Sequence, residues 1–121
     1  MKHLGKKLWL IPDCYTPSKS EGMESHESVC VLNTGDTDAE LTFTLYFEDN
    51  EPLTASETCP ARRTRHIRMS RLKLSSGKPL PLDTSYAVSV QSTCPVSVQY
   101  SRMDTSLGGM ALMTTVAHPV E

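Results

Sequence analysis

Aromatic residues are scarce at 6% of 121 residues, so the core has to be built chiefly from aliphatic side chains. No apolar run approaches the ~20 residues needed by a membrane-spanning helix, which excludes membrane insertion by such a helix. Behind Met1, Lys2 and His3 the first apolar stretch covers only residues 8–11. A signal-peptide core needs roughly 7–15 residues, so a cytoplasmic location is expected. The four cysteines (Cys14, Cys30, Cys59 and Cys94) never stand at C-x-x-C spacing, which removes the zinc-ribbon and thioredoxin motifs. Without an export signal they are expected as reduced thiols, with Cys30 a small core hydrophobe between Val29 and Val31. A G-x-S-x-G elbow, a glycine-rich phosphate loop and an H-E-x-x-H helix are all missing, so no enzyme, cofactor or metal is expected.

What is present is alternation. Leu41, Phe43, Leu45 and Phe47 interleave with Glu40, Thr42, Thr44, Tyr46 and Glu48, the period of a half-buried strand. A short apolar run over 28–33 precedes it across the polar turn 34–38, and the two together read as a hairpin. Further strands are expected at 6–11, 53–59, 64–69, 85–92, 96–103 and 111–116, with Cys94-Pro95 as a turn between two valine-rich strands. A short helical turn fits 70–74. About eight strands separated by turn signals predict a single domain of all-β class, an antiparallel β-sandwich. Residues 12–25, rich in serine and interrupted by Pro17 and Gly22, read as a long loop: a lid, an oligomer contact or plain surface.

The formal charge of −2 conceals a division along the chain. Residues 13–57 hold eleven acids and one lysine, whereas 62–78 hold seven basic residues and no acid: Arg62, Arg63, Arg65, Arg68, Arg71, Lys73 and Lys78. Two readings stand: oppositely charged neighbours that compensate each other, or an anion or nucleic-acid site. Strand parity splits the basic run into a row of Arg62, Thr64, His66 and Arg68 and an opposite row of Arg63, Arg65, Ile67 and Met69. Guanidinium forks flanking a histidine suit a carboxylate, a phosphate or vicinal hydroxyls. Charges of this kind also protect an exposed edge. The basic run has no interleaved aromatics, so weak, salt-sensitive DNA contact is all it could offer nucleic acid.

His26 and Glu27 are adjacent and so project to opposite faces of a strand, which opposes shared metal chelation or paired acid–base chemistry. A zinc site from His26, His66 and His118 lacks ligand spacing. Arg102 ends an apolar row of Val96, Val98 and Tyr100, either paired with a neighbour such as Asp104 or opening onto a pocket mouth.

Several stretches taken together resemble the sensory rhodopsin transducer family across residues 8–117. They are L-W-L-I-P-D from Leu8, S-H-E-S-V-C-V-L-N-T-G-D from Ser25, P-A-R-R-T-R-H-I-R from Pro60, and V-Q-Y-S-R-M-D from Val98. The resemblance implies a small soluble β-sandwich that forms a homotetramer, binds a small-molecule ligand such as a sugar, and acts in signalling. It also suggests a rhodopsin-like receptor as protein partner and association with DNA. The matching polar positions are His26, Glu27, Arg62, His66, Arg68, Gln99 and Arg102, expected to line a polar cleft. Arg62 and Arg68 would meet anionic or hydroxyl oxygens, His26 and His66 would give directional hydrogen bonds, Glu27 and Gln99 would read hydroxyls, and Arg102 would close the cleft. Residues 13–25 and 106–109 depart from the photoreceptor-coupled form, and such loops choose partners.

Overall fold

A computed structural model describes residues 4–121. Its strands are β1 (Lys6–Cys14), β2 (His26–Asn33), β3 (Ala39–Phe47), β4 (Leu53–Cys59), β5 (Arg63–Arg68), β6 (Tyr86–Asp104), β7 (Ala111–Val116) and β8 (His118–Val120). One 3-10 turn, Met69–Arg71, is the only helical element among the described residues. All pairings are antiparallel, as the alternation predicted.

The organising element is β6, 19 residues long. Its first half pairs with β3 and β1, giving a first sheet in the order β4-β3-β6-β1-β8. Its second half pairs with β2 and β7, giving a second sheet in the order β5-β2-β6-β7. The expected turn at Cys94-Pro95 is instead the corner where one strand leaves one sheet for the other. Proline suits that corner because β1 steps from Leu8 opposite Gln91 to Lys6 opposite Val96, so Pro95 faces no partner that needs its missing N–H. Trp9 fixes the corner, its indole N–H donating to the carbonyls of Lys6 and Val96, each at 3.0 Å.

The expected hairpin of residues 28–33 with 40–48 does not form. β2 pairs with β5 and β6, while β3 pairs with β4 and β6. The intervening turn crosses between sheets, and buried Asn33 holds it there. Its amide donates to the carbonyls of Thr37 at 2.9 Å and Cys59 at 3.1 Å, and its oxygen accepts from Gly35 N–H at 3.0 Å. An asparagine satisfying three backbone groups offers the chain a tight alternative to continuing the ladder.

The inner faces of both sheets contribute to one core. Leu41, Phe43 and Leu45 of β3 lie at 1, 0 and 0% exposure, each burial contributing about 1.5–3 kcal/mol. From the second sheet come Val29, Val31, Ile67, Val98 and Tyr100. Cys14 and Cys59 are in this core, but Cys30 is on the outer face of β2, contrary to its expected core placement, because the buried parity of that strand is 27, 29, 31 and 33.

Candidate functional site

The seven predicted positions divide into three environments. β5 runs beside β2 with Ser28 opposite Arg68 and Cys30 opposite His66. On the other flank of β2, Ser28 faces Ser101 and Cys30 faces Gln99 on β6. β7 follows, with Thr114 opposite Ser101. Side chains of alternate residues share a face, so His26, His66, Arg68 and Gln99 all stand on the outer surface of the second sheet. Small residues, Ser28, Cys30 and Ser101, form a floor between them.

By register this is a trough, with small residues in the middle row and larger ones on both sides. Arg68 and His66 rise on the β5 side; Gln99 and Thr114 rise on the other. Arg68 lies 3.6 Å from Glu24, a weak exposed pair that leaves its other donors available. The Gln99 amide N–H donates to the Thr114 hydroxyl at 2.5 Å, which leaves its carbonyl oxygen unused among the described residues. His26 Nδ1 is 3.1 Å from the Glu24 carbonyl. Burial raises the pKa of the Cys30 thiol on the floor, so it stays a neutral, weakly polar surface.

Glu27 and Arg102 lie on the opposite face, facing inward. Glu27 is fully buried and accepts four hydrogen bonds: from Tyr15 N–H at 2.8 Å, from the Tyr86 hydroxyl at 2.6 Å, and from the hydroxyls of Thr16 and Tyr100. Four donors fill the lone-pair sites of a carboxylate. Burial first, then the charge of and hydrogen bond to Glu27, push both the Tyr86 and Tyr100 phenols far above their ordinary range. Arg102 Nε–H donates to the Tyr100 oxygen at 3.1 Å, and its Nη2 donates to the Asp13 carboxylate at 3.3 Å. Burial acts to lower the Arg102 pKa, but the bonds to Tyr100 and Asp13 outweigh it and raise it. Asp13, rather than Asp104, is therefore the partner of Arg102. This network anchors the loop after β1 to both sheets, and the loop is further tied by Ser18 to Asp83 and Ser25 to Thr105.

Arg62 stands apart from the row assigned by parity. Its φ of 58° is left-handed, so it turns the chain before β5 begins, and it pairs with Asp36 at 3.3 Å. With Arg65–Glu57 at 3.6 Å and Arg68–Glu24, three cations of the basic run meet three acids of the acidic segment. Compensation between segments thus accounts for part of the charge division. His118 lies on β8 in the other sheet, and no three metal-ligating side chains converge among the described residues.

Ser28, Cys30, Ser101 and Thr114 are trough residues that sequence reasoning missed. Parity identifies them once β2 is placed between β5 and β6, and the mistaken hairpin concealed that placement.

A family model described as Anabaena sensory rhodopsin transducer matches residues 4–119. The chain is similar to a protein of Thermotoga maritima known from its crystal structure, at 33% identity and a TM-score of 0.88, covering 98% of this chain and 97% of that one. It is also similar to the solved Anabaena sensory rhodopsin transducer, at 41% identity and a TM-score of 0.76, covering 85% of this chain and 92% of that one. No match occurs among curated proteins.

Proposed function

The chain belongs to the Anabaena sensory rhodopsin transducer family, and on that basis we propose that it is a non-enzymatic cytoplasmic signalling domain that binds a small hydroxylated or anionic ligand and relays its presence to a partner protein. A sugar is the first candidate. The observation that carries this reading is the register that gathers His66, Arg68, Gln99 and His26 around the Ser28–Cys30–Ser101 floor. Planar guanidinium donors, imidazole nitrogens and an amide carbonyl together provide both donors and acceptors for vicinal hydroxyls or a carboxylate. Glu27 and Arg102 support that face from within and do not contact the ligand.

A thermal-shift screen over sugars and small organic acids tests the assignment. A stabilising ligand should lose most of its effect with Arg68→Ala and with His66→Ala. Equal binding by both variants would remove the site.

We further propose that the working unit is a homotetramer. All six residues of β7 are exposed, Leu112 at 72% and Val116 at 70%, and the strand A-L-M-T-T-V has no charge or proline to block pairing. Light scattering at a tetramer mass is the expected result; a monomer at micromolar concentration contradicts it.

A second reading has its own support. Arg63, Arg71, Lys73 and Lys78 are exposed and in no ion pair among the described residues. A transcription-linked transducer, contacting a membrane photoreceptor and DNA, would use this segment. It predicts duplex binding at low salt that falls steeply with added salt and weakens with Arg63→Ala. No binding at low salt removes it.

A further inference from the structure

A cleft of about 430 Å³ opens on the first sheet, away from the trough, where β1, β3 and β6 end or begin. Its origin is a bulge. Ile11 pairs with Val88 and Cys14 with Tyr86, so β1 spends three steps where β6 spends two, and Pro12 and Asp13 are displaced from the ladder. On the other side of β6, Tyr46 pairs with Ala87. The small Ala87 therefore lies at the bottom of a gap between the Tyr46 ring and the displaced Pro12 and Asp13.

The walls have a distinct chemistry. Tyr46 is 46% exposed, and Phe47 packs against Tyr86 with ring centroids 6.1 Å apart. Glu48 supplies a carboxylate, that of Asp13 is already paired with Arg102 at 3.3 Å, and no lysine or arginine is itself a lining residue. Glu48 has no hydrogen-bond or ion partner among the described residues. An adjoining cleft of about 240 Å³ shares Phe47, Glu48 and Ser85 and adds Asp49 and Asp83. Anions are repelled from such a surface. A hard metal ion needs several converging oxygens, and no such group of three is found among the described residues. An organic cation needs what the cleft has: an aromatic face for its polarised methyl or methylene groups and carboxylates at the rim.

We propose that this cleft is a second ligand site, selective for a small organic cation of the quaternary ammonium or alkylamine class, with Tyr46 as its aromatic wall and Glu48 as its charge partner. It is independent of the sugar or acid reading of the trough, which uses the other sheet.

The test titrates the full-length chain with choline, and in parallel with its neutral carbon isostere, in which a tert-butyl group replaces the trimethylammonium. Binding is followed by calorimetry and by amide chemical shifts. Choline should bind saturably with shifts centred on residues 46–48 and 85–87, and the isostere should bind about tenfold more weakly. Glu48→Gln and Tyr46→Leu, both at exposed positions, should each weaken choline about fivefold or more. His66→Ala should leave it unchanged. Equal binding of choline and the isostere overturns the proposal, as does the absence of saturable binding into the tens of millimolar. Choline affinity unaltered by both cleft variants, or lost with His66→Ala, overturns the location.

Discussion

Replacing Glu27 by glutamine changes one oxygen into an NH2 at a fully buried side chain that accepts four hydrogen bonds. The lowest-cost orientation keeps the amide oxygen toward Tyr15 N–H and the Tyr100 hydroxyl, since a backbone N–H cannot reverse its role. The NH2 then faces the Thr16 and Tyr86 hydroxyls, which must rotate and become acceptors. Two charge-assisted bonds at about 1.5–3 kcal/mol each are lost or replaced by weaker ones. A neutral amide is easier to bury than a carboxylate, which offsets part of the loss and leaves roughly 2–4 kcal/mol of destabilisation. With an unfolding entropy of about 2.1 cal/mol/K per residue, this chain loses close to 0.25 kcal/mol per degree at its midpoint, so Tm should fall by about 8–16 °C. Calorimetric unfolding of Glu27→Gln measures it directly. Combining it with Tyr86→Phe should cost less than the sum of the two single changes, because both remove the same bond. A Tm within about 4 °C of the parent would show that the four bonds and the burial cost nearly cancel, and would refute the structural role given to this residue.

Asn33→Ala should destabilise by about 2–4 kcal/mol, since buried carbonyls and an N–H lose their partner, and urea unfolding should show a lower midpoint at unchanged slope. Gly5→Ala places a Cβ 2.1 Å from the Val96 carbonyl oxygen at a φ of +105°, so the start of β1 must separate from β6. It should cost about 1–3 kcal/mol and accelerate exchange of the Lys6 amide. Tyr86 and Tyr100 have folded pKa values above the ordinary 10.0, so their stabilisation is complete below that pH and is lost as pH rises beyond it. Tyrosinate absorbance from these two should appear only with unfolding, and Tyr86→Phe should reduce the steepness of alkaline denaturation.

The strands were readable because each buries one face, and alternation records that directly. β4 and β7 fall on the expected residues, and β3 within one residue of them. Connectivity was harder. The polar segment 34–38 has the composition of a hairpin turn, but composition cannot say whether the next strand returns beside the last or crosses to the other sheet. Asn33 decides that, through contacts with Cys59 that are remote in sequence. Pro95 read as a terminator because proline usually is one; here a corner spares it the bond it cannot make. For the candidate site, parity placed Thr64, His66 and Arg68 correctly on one face, whereas Arg62 escaped the rule because its left-handed backbone precedes the strand. Glu27 was expected to read ligand hydroxyls in the polar cleft, and nothing local to it announced the two tyrosines, 59 and 73 positions away, that bind it.

The shared strand also dictates when this chain can fold. β1, β2 and β3 all find their central neighbour in β6, which begins only at residue 86 of 121. During synthesis the first two-thirds of the polypeptide therefore emerges with its apolar strand faces and nothing to close them on, apart from the β3–β4 and β2–β5 pairs. Contacts this remote in sequence make for slow folding. Once β6 has emerged, both sheets must assemble on it together, so a nascent chain arrested before Tyr86 should be protease-sensitive throughout, and one extended past Asp104 should become resistant in a single step.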